Sequence, residues 1–193
     1  MKNNVNLISK VYLVSDTHFY HHKLIEVCNR PQNFEQKIIN QWKNTVSSND
    51  IVYHLGDVTF GSQEKLKEIM KDLPGTKILI KGNHDKKNSN NWFIQSGFAA
   101  VFDEVKTGNV ILSHCPISLT KEEIDKGIIN IHGHFHNCAV ERWEPELKEL
   151  ITNNHFLLIL EEINYCPVSL ELAKKKKFVK NTKQLLINAK KVP

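Results

Sequence analysis

Apolar residues recur along this chain at two periods, and the alternation between them lays out a fold. Residues 10–15 (KVYLVS) are a short, mostly apolar run that stops at Asp16, which predicts a strand. Residues 23–29 hold one or two helical turns closed by Pro31. Phe34, Ile38, Ile39, Trp42 and Val46 return at helical spacing, which predicts an amphipathic helix over 33–46 with Phe34 and Trp42 in the core. A second strand over 51–55 ends at Gly56-Asp57. Ser62 reads as the N-cap of a helix with the stripe Leu66, Ile69, Met70 and Leu73, stopped by Pro74-Gly75. A third strand over 77–80 ends at Gly82-Asn83-His84-Asp85, and a short helix covers 90–96. Strands follow near 100–106, 110–113, 128–132 and 156–161, and Ser169 starts a final helix.

The early rhythm of strand, helix, strand, helix, strand implies right-handed βαβ units and a largely parallel sheet. The later strands follow one another with little helix, so a second sheet, mixed or antiparallel, is expected. Residues 137–154 are polar, with Glu141, Glu144, Glu146 and Glu149 around Trp143, and read as a surface excursion. The pattern holds no internal repeat. A length of 193 residues suits one domain, taken as 1–193 with a lysine-rich helix or tail over 174–193.

Composition narrows the class. With 40 % hydrophobic and 24 % charged residues the chain is neither collagen-like nor low-complexity nor wholly disordered. Apolar runs such as 156–160 fall far short of the roughly 18 residues of a membrane span. The start, MKNNVNLISK, lacks the apolar region of a secretory signal. Cys28, Cys115, Cys138 and Cys166 lie far apart with no C-x-x-C pair, which fits reduced thiols and a cytoplasmic protein. The net charge of +5 is uneven: residues 1–173 hold 18 Lys/Arg against 21 Asp/Glu, and 174–193 hold eight Lys and no acid. That tail is either a solvated face or a weak contact for nucleic acid.

The chemistry lies in the ten histidines and in where they fall. Asp16 and His18, Asp57, Asn83 and His84, His114, and His134 and His136 each follow a predicted strand. In open α/β sheets the loops at the carboxyl ends of strands converge on one crevice, and Gly56, Gly82 and Gly133 allow close approach. Mixed His/Asp/Asn donors suit two divalent cations, Mn²⁺ first and Fe, Ni²⁺ or Zn²⁺ as alternatives, rather than Ca²⁺. Asp57 is the natural bridge between them, and a water held there would be acidified into a nucleophile. His54 and His132 lie inside strands and read as packed, His22 and His155 as exposed, and Cys115 and Cys138 as packing residues.

Asp16–His18 (D-T-H), Leu55–Asp57 (L-G-D), Gly82–Asp85 (G-N-H-D), Ser113–Pro116 (S-H-C-P) and Gly133–His136 (G-H-F-H) resemble the five ordered motifs of the calcineurin-like metallophosphoesterases. A weaker echo at 165–170 (YCPVSL) is similar to small bacterial and phage members. The resemblance implies a two-sheet αββα sandwich with mixed sheets flanked by helices. It implies that Asp16, His18, Asp57 and His136 hold one metal and Asp57, Asn83, His114 and His134 the other. His84 would stabilise charge on the phosphate and protonate the leaving alkoxide, with Asp85 orienting its ring. The segment 16–21 (DTHFYH) resembles a subgroup that usually has glycine where Tyr20 stands, and it makes His21 a candidate substrate contact. Arg30, one of two arginines, could fork a phosphate. The expected activity is a phosphodiesterase on nucleotide-like diesters, with a phosphomonoesterase or protein phosphatase, and then a nuclease, as alternatives. A scaffold that has lost its chemistry would lack some of these residues, and a nucleic-acid module led by the tail would not explain them. Oligomeric state is left open.

Overall fold

The computed structural model describes residues 9–189. In chain order its elements are β1 (Val11–Val14), α1 (Leu24–Val27), α2 (Phe34–Thr45), β2 (Ile51–His54), α3 (Gln63–Asp72) and β3 (Thr76–Ile80). Then come α4 (Asn90–Gln95), β4 (Ala100–Phe102), β5 (Glu104–Thr107), β6 (Val110–Ser113), α5 (Lys121–Asp125) and β7 (Ile129–His132). The last are α6 (Pro145–Leu150), β8 (His155–Leu157), β9 (Val168–Ser169), α7 (Leu170–Lys174), β10 (Lys180–Asn181) and α8 (Thr182–Ala189). They build two five-stranded sheets, ordered β4-β3-β2-β1-β9 and β10-β8-β7-β6-β5. In the first sheet β1 to β4 run parallel and β9 antiparallel. In the second β6, β7 and β8 are parallel and both edge strands antiparallel. The result is the expected α/β sandwich of two mixed sheets flanked by helices.

Side-chain alternation assigns the layers. Leu13, Ile80, Leu112, Ile131 and Phe156 point between the sheets, whereas Val14, Val52 and Leu79 face Phe34, Ile38, Trp42, Leu66 and Met70 of α2 and α3. Strands buried on both faces read as continuous apolar runs, which is why the sequence shows them clearly. Ser62 caps α3 as expected, its hydroxyl accepting from the Lys65 N–H.

Four expectations need correction. The strand expected over 100–106 breaks at the exposed Asp103, and the chain there leaves the first sheet for the second. The strand expected over 156–161 ends at Leu157; residues 158–160 stay buried as they turn back toward the first sheet. The excursion at 137–154 is not all surface, because Trp143 is buried and stacks on Phe135 at 4.1 Å. His155 is buried, its Nδ1 accepting from the Thr152 N–H and its Nε2 donating to the Ile117 carbonyl.

The helix expected from Ser169 is not the final one: it ends at Lys174, the chain runs on through β10 into α8, and the tail is thereby built into the sandwich. Residues of β9, α7 and β10 carry the chain across from the first sheet to the second, with Lys174 to Lys177 on that crossover. Leu186 of α8 packs with Trp143, Ile151 and Leu157, and the Thr182 hydroxyl donates to His132 Nε2 at 3.0 Å. Among the described residues no helix is long and apolar enough to cross a membrane.

Candidate metal centre

Five of the residues that follow strands hold left-handed backbone: Asp16 (φ 53°), His18 (48°), Asp57 (58°), His134 (75°) and His136 (51°). Each costs about 1 kcal/mol or more for a residue with a Cβ, so the surrounding loops must enforce it. They do so with backbone bonds between loops. The Asp16 N–H donates to the Gly56 carbonyl, the His18 N–H to the Asp57 carbonyl and the Gly133 N–H to the His114 carbonyl, at 3.0, 3.0 and 2.9 Å. A Cβ on Gly56 would stand 2.5 Å from the Gly82 nitrogen, and one on Gly133 would enter the Ser15 hydroxyl and the Asp16 carboxylate. Only glycine fits either place.

The side chains gather into two groups that share one carboxylate. In the first, His18 Nε2 and His136 Nε2 face each other at 3.1 Å, and Asp16 Oδ1 lies 3.9 and 3.6 Å from them. In the second, Asn83 Oδ1, His114 Nε2 and His134 Nδ1 form a triangle with sides of 2.9, 3.1 and 3.2 Å. Asp57 Oδ2 lies between the groups, 3.5 Å from His18 Nε2 and 3.4 Å from His114 Nε2. Its Oδ1 accepts the His84 N–H.

These donors fit divalent cations on grounds of their own. Asp16 Oδ1 is buried without a hydrogen-bond partner, an arrangement that is costly unless a cation meets it. His114 Nδ1 donates to the Leu55 carbonyl at 2.7 Å, and His134 Nε2 donates toward Glu144 at 3.2 Å. His136 Nδ1 lies 3.5 Å from Glu161 Oε1. For His114 and His134 that partner takes the outer N–H and so aims the inward nitrogen at the donor group. Burial pushes the His18 and His134 pKa values down, keeping those rings neutral, the form that ligates. Burial opposes ionisation of Asp57, but its contact with His114 and the bond it accepts from the His84 N–H outweigh that and hold it well below the usual carboxylate range.

His84 stands apart from both groups. Its side chain is 47 % exposed, with Nε2 4.0 Å from Asp57 Oδ2. Asp85 does not meet that ring, contrary to expectation. Its carboxylate accepts from the backbone N–H groups of Asp57, Val58 and Gly82 at 2.7, 3.0 and 2.9 Å. It clamps the loop after β2 to the loop after β3, and thereby sets the Asp57 backbone.

Arg30 is also placed otherwise than expected. Its guanidinium is fully buried, paired with Glu161 at 2.7 Å and donating to the carbonyls of Asp16 and Thr17. A buried guanidinium spent on these partners has no fork to offer a phosphate. His21 is half-buried and stacks on Phe60 at 3.9 Å, and Phe60 in turn lies 5.1 Å from His84. Tyr20 holds φ 66°, a left-handed turn that glycine takes at no steric cost. Glu161, Glu144 and Phe60 escaped the sequence reading, since nothing in their spacing ties them to histidines that only the fold brings near.

The calcineurin-like phosphoesterase family model matches residues 9–182. The chain is 34 % identical over 174 residues to the Methanocaldococcus jannaschii protein MJ1445, covering 84 % of this chain and 88 % of that protein. It is 29 % identical over 166 residues to the Gene 66 protein of Mycobacterium phage L5, covering 69 % and 80 %. The crystal structure of AQ665 from Aquifex aeolicus is similar with a TM-score of 0.61 and 28 % identity, over 87 % of this chain and 99 % of that one. With the family matched across nearly all the described residues, the chain belongs to the calcineurin-like phosphoesterases, hydrolases that act on phosphoester bonds.

Proposed function

We propose that this enzyme is a phosphodiesterase that cleaves nucleotide-like diesters with two divalent cations, Mn²⁺ foremost, within one catalytic domain. The observation that carries the reading is the exposed His84 Nε2 4.0 Å from the carboxylate oxygen that both donor groups share. Asp16, His18, Asp57 and His136 would hold one cation, and Asp57, Asn83, His114 and His134 the other. What such a pair supplies when bound is Lewis acidity at the phosphoryl oxygens and an acidified water.

The chain's own residues do the rest. His84 donates its Nε2 proton toward the phosphoryl group and delivers it to the departing alkoxide. Its backbone N–H, bonded to Asp57 Oδ1, keeps that ring in register with the shared carboxylate. Asp85 positions the Asp57 backbone, and Arg30 positions Glu161 and the Asp16–Thr17 backbone. Asn83, His84, Lys86 and Lys87 are exposed, so this side of the site opens to solvent.

The test is turnover of bis(p-nitrophenyl) phosphate and p-nitrophenyl phosphate side by side by Mn²⁺-loaded protein. Faster cleavage of the diester is expected. A monoester preference would move the assignment to a phosphomonoesterase.

A further inference from the structure

Beside His84 lies a feature that cleavage of a minimal diester does not need. The Lys87 ammonium sits 4.8 Å from the centroid of the Phe60 ring, whose centroid is 5.1 Å from that of His84. The same Phe60 ring stacks at 3.9 Å with His21, whose Nδ1 is buried and unpartnered. Lys87 is therefore held one aromatic ring away from the residue that meets the leaving group.

The turn that carries it is fixed at both ends. Asp85 takes three backbone N–H groups through its carboxylate, and its carbonyl accepts the Asn88 N–H at 3.0 Å. Lys81 donates its ammonium to the Asn88 carbonyl at 2.8 Å. Yet none of the ion pairs among the described residues uses Lys86 or Lys87. A contact with one half-buried aromatic ring satisfies a lysine cation only weakly. What remains is a positive charge with a defined place and no carboxylate to meet it.

We propose that Lys87, poised over Phe60, is a specificity-determining residue that binds the next phosphate on the leaving-group side of the scissile bond. It would select single-stranded nucleic acid over isolated diesters. The proposal rests on the phosphodiesterase reading and deepens it. The lysine supplies the charge, and Phe60 holds that charge beside His84 while leaving a π-face for the neighbouring base when the lysine swings onto its phosphate. This contact is separate from the lysines of the C-terminal crossover.

The experiment compares two thymidine dinucleotides, one carrying a further phosphate on the leaving nucleoside and one without it. The readout is the ratio of their kcat/KM values for Mn²⁺-loaded protein. Lys87→Gln should lower that ratio about 5–20-fold and flatten the salt dependence for a longer strand by roughly 0.7 in logarithmic slope, as expected for one lost phosphate contact. Lys87→Arg should restore the ratio, and Phe60→Leu should lower it without changing bound metal. A second arm measures anisotropy of a labelled oligothymidylate on the His84→Ala protein with and without Lys87→Gln, and expects weaker binding in the double variant. An unchanged ratio with unchanged anisotropy overturns the subsite while leaving diester cleavage standing. Loss of binding on Lys87→Gln in a protein that cleaves no diester would instead retain the subsite and overturn the phosphodiesterase reading.

Discussion

At Arg30 a single guanidinium holds Glu161 and two backbone carbonyls of the loop that carries Asp16 and His18. Replacing it with Gln would leave the buried Glu161 with only His136 beside it, and breaking such a buried pair costs about 3–5 kcal/mol. Urea denaturation of Arg30→Gln should show that loss, and Arg30→Lys should recover little of it because an ammonium cannot fork. Burial opposes ionisation of Glu161, but His136 and Arg30 bring its pKa down to about 2. Its contribution is therefore complete above its ordinary value of 4.5 and fades as pH falls toward 2. His54 adds a second acid limb. Its Nδ1 accepts the Gly56 N–H and its Nε2 donates to Thr17, so the neutral ring is required, and burial followed by the charge of His114 lowers its pKa to about 3. The unfolded chain takes up that proton near pH 6.5 and the folded one does not, so stability should drop by about 1.4 kcal/mol per pH unit between 6.5 and 3. His54→Gln should make that limb shallower by one proton in denaturation series across pH. At the reacting centre, His84→Ala should keep its bound metal and lose about 10²–10⁴-fold in kcat, most on esters with poor leaving groups. Metal analysis beside a leaving-group series checks both halves.

Elements differ in how far their chemistry reaches, and the tail shows it. Lys174 to Lys177 lie on the crossover between β9 and β10 at an edge of the sandwich, whereas the donor groups sit beyond the carboxyl ends of β1, β2, β3, β6 and β7. Reversing these four lysines to glutamate should leave kcat/KM unchanged for both a small ester and an oligonucleotide, at low and high salt. Removing 182–193 is a different matter. It takes away Leu186 and leaves His132 Nε2 buried without its Thr182 donor, which should lower stability by a few kcal/mol, read as an earlier urea midpoint. The sequence announced α2 and α3 because apolar residues at helical spacing and a Ser62 cap are local signals. It announced the donor loops because each follows an apolar run. It could not show that 100–106 splits between sheets, since a strand that changes partners at Asp103 keeps the same alternation. Nor could it show the two-residue β10, or the approach of Glu161 to Arg30 across 131 positions, because those contacts exist only once the sheets have packed.

For the molecule as a whole, the two halves of the donor set come from different sheets: Asp16, His18, Asp57 and Asn83 from the first, His114, His134 and His136 from the second. Cations bound between them would link the sheets, so stripping with a chelator should lower the unfolding midpoint, and Mn²⁺ should restore it with a dependence on free metal. Asp57→Asn should largely abolish that response together with turnover, because the shared carboxylate serves both groups. The left-handed backbone at Asp16, His18, Asp57, His134 and His136 adds a further dependence. At each of these five positions glycine would relax the main chain while deleting a donor. Directed evolution of the metal-free protein for heat resistance should therefore enrich glycine at the more open of them, His134 and His136, and each such winner would be a dead enzyme.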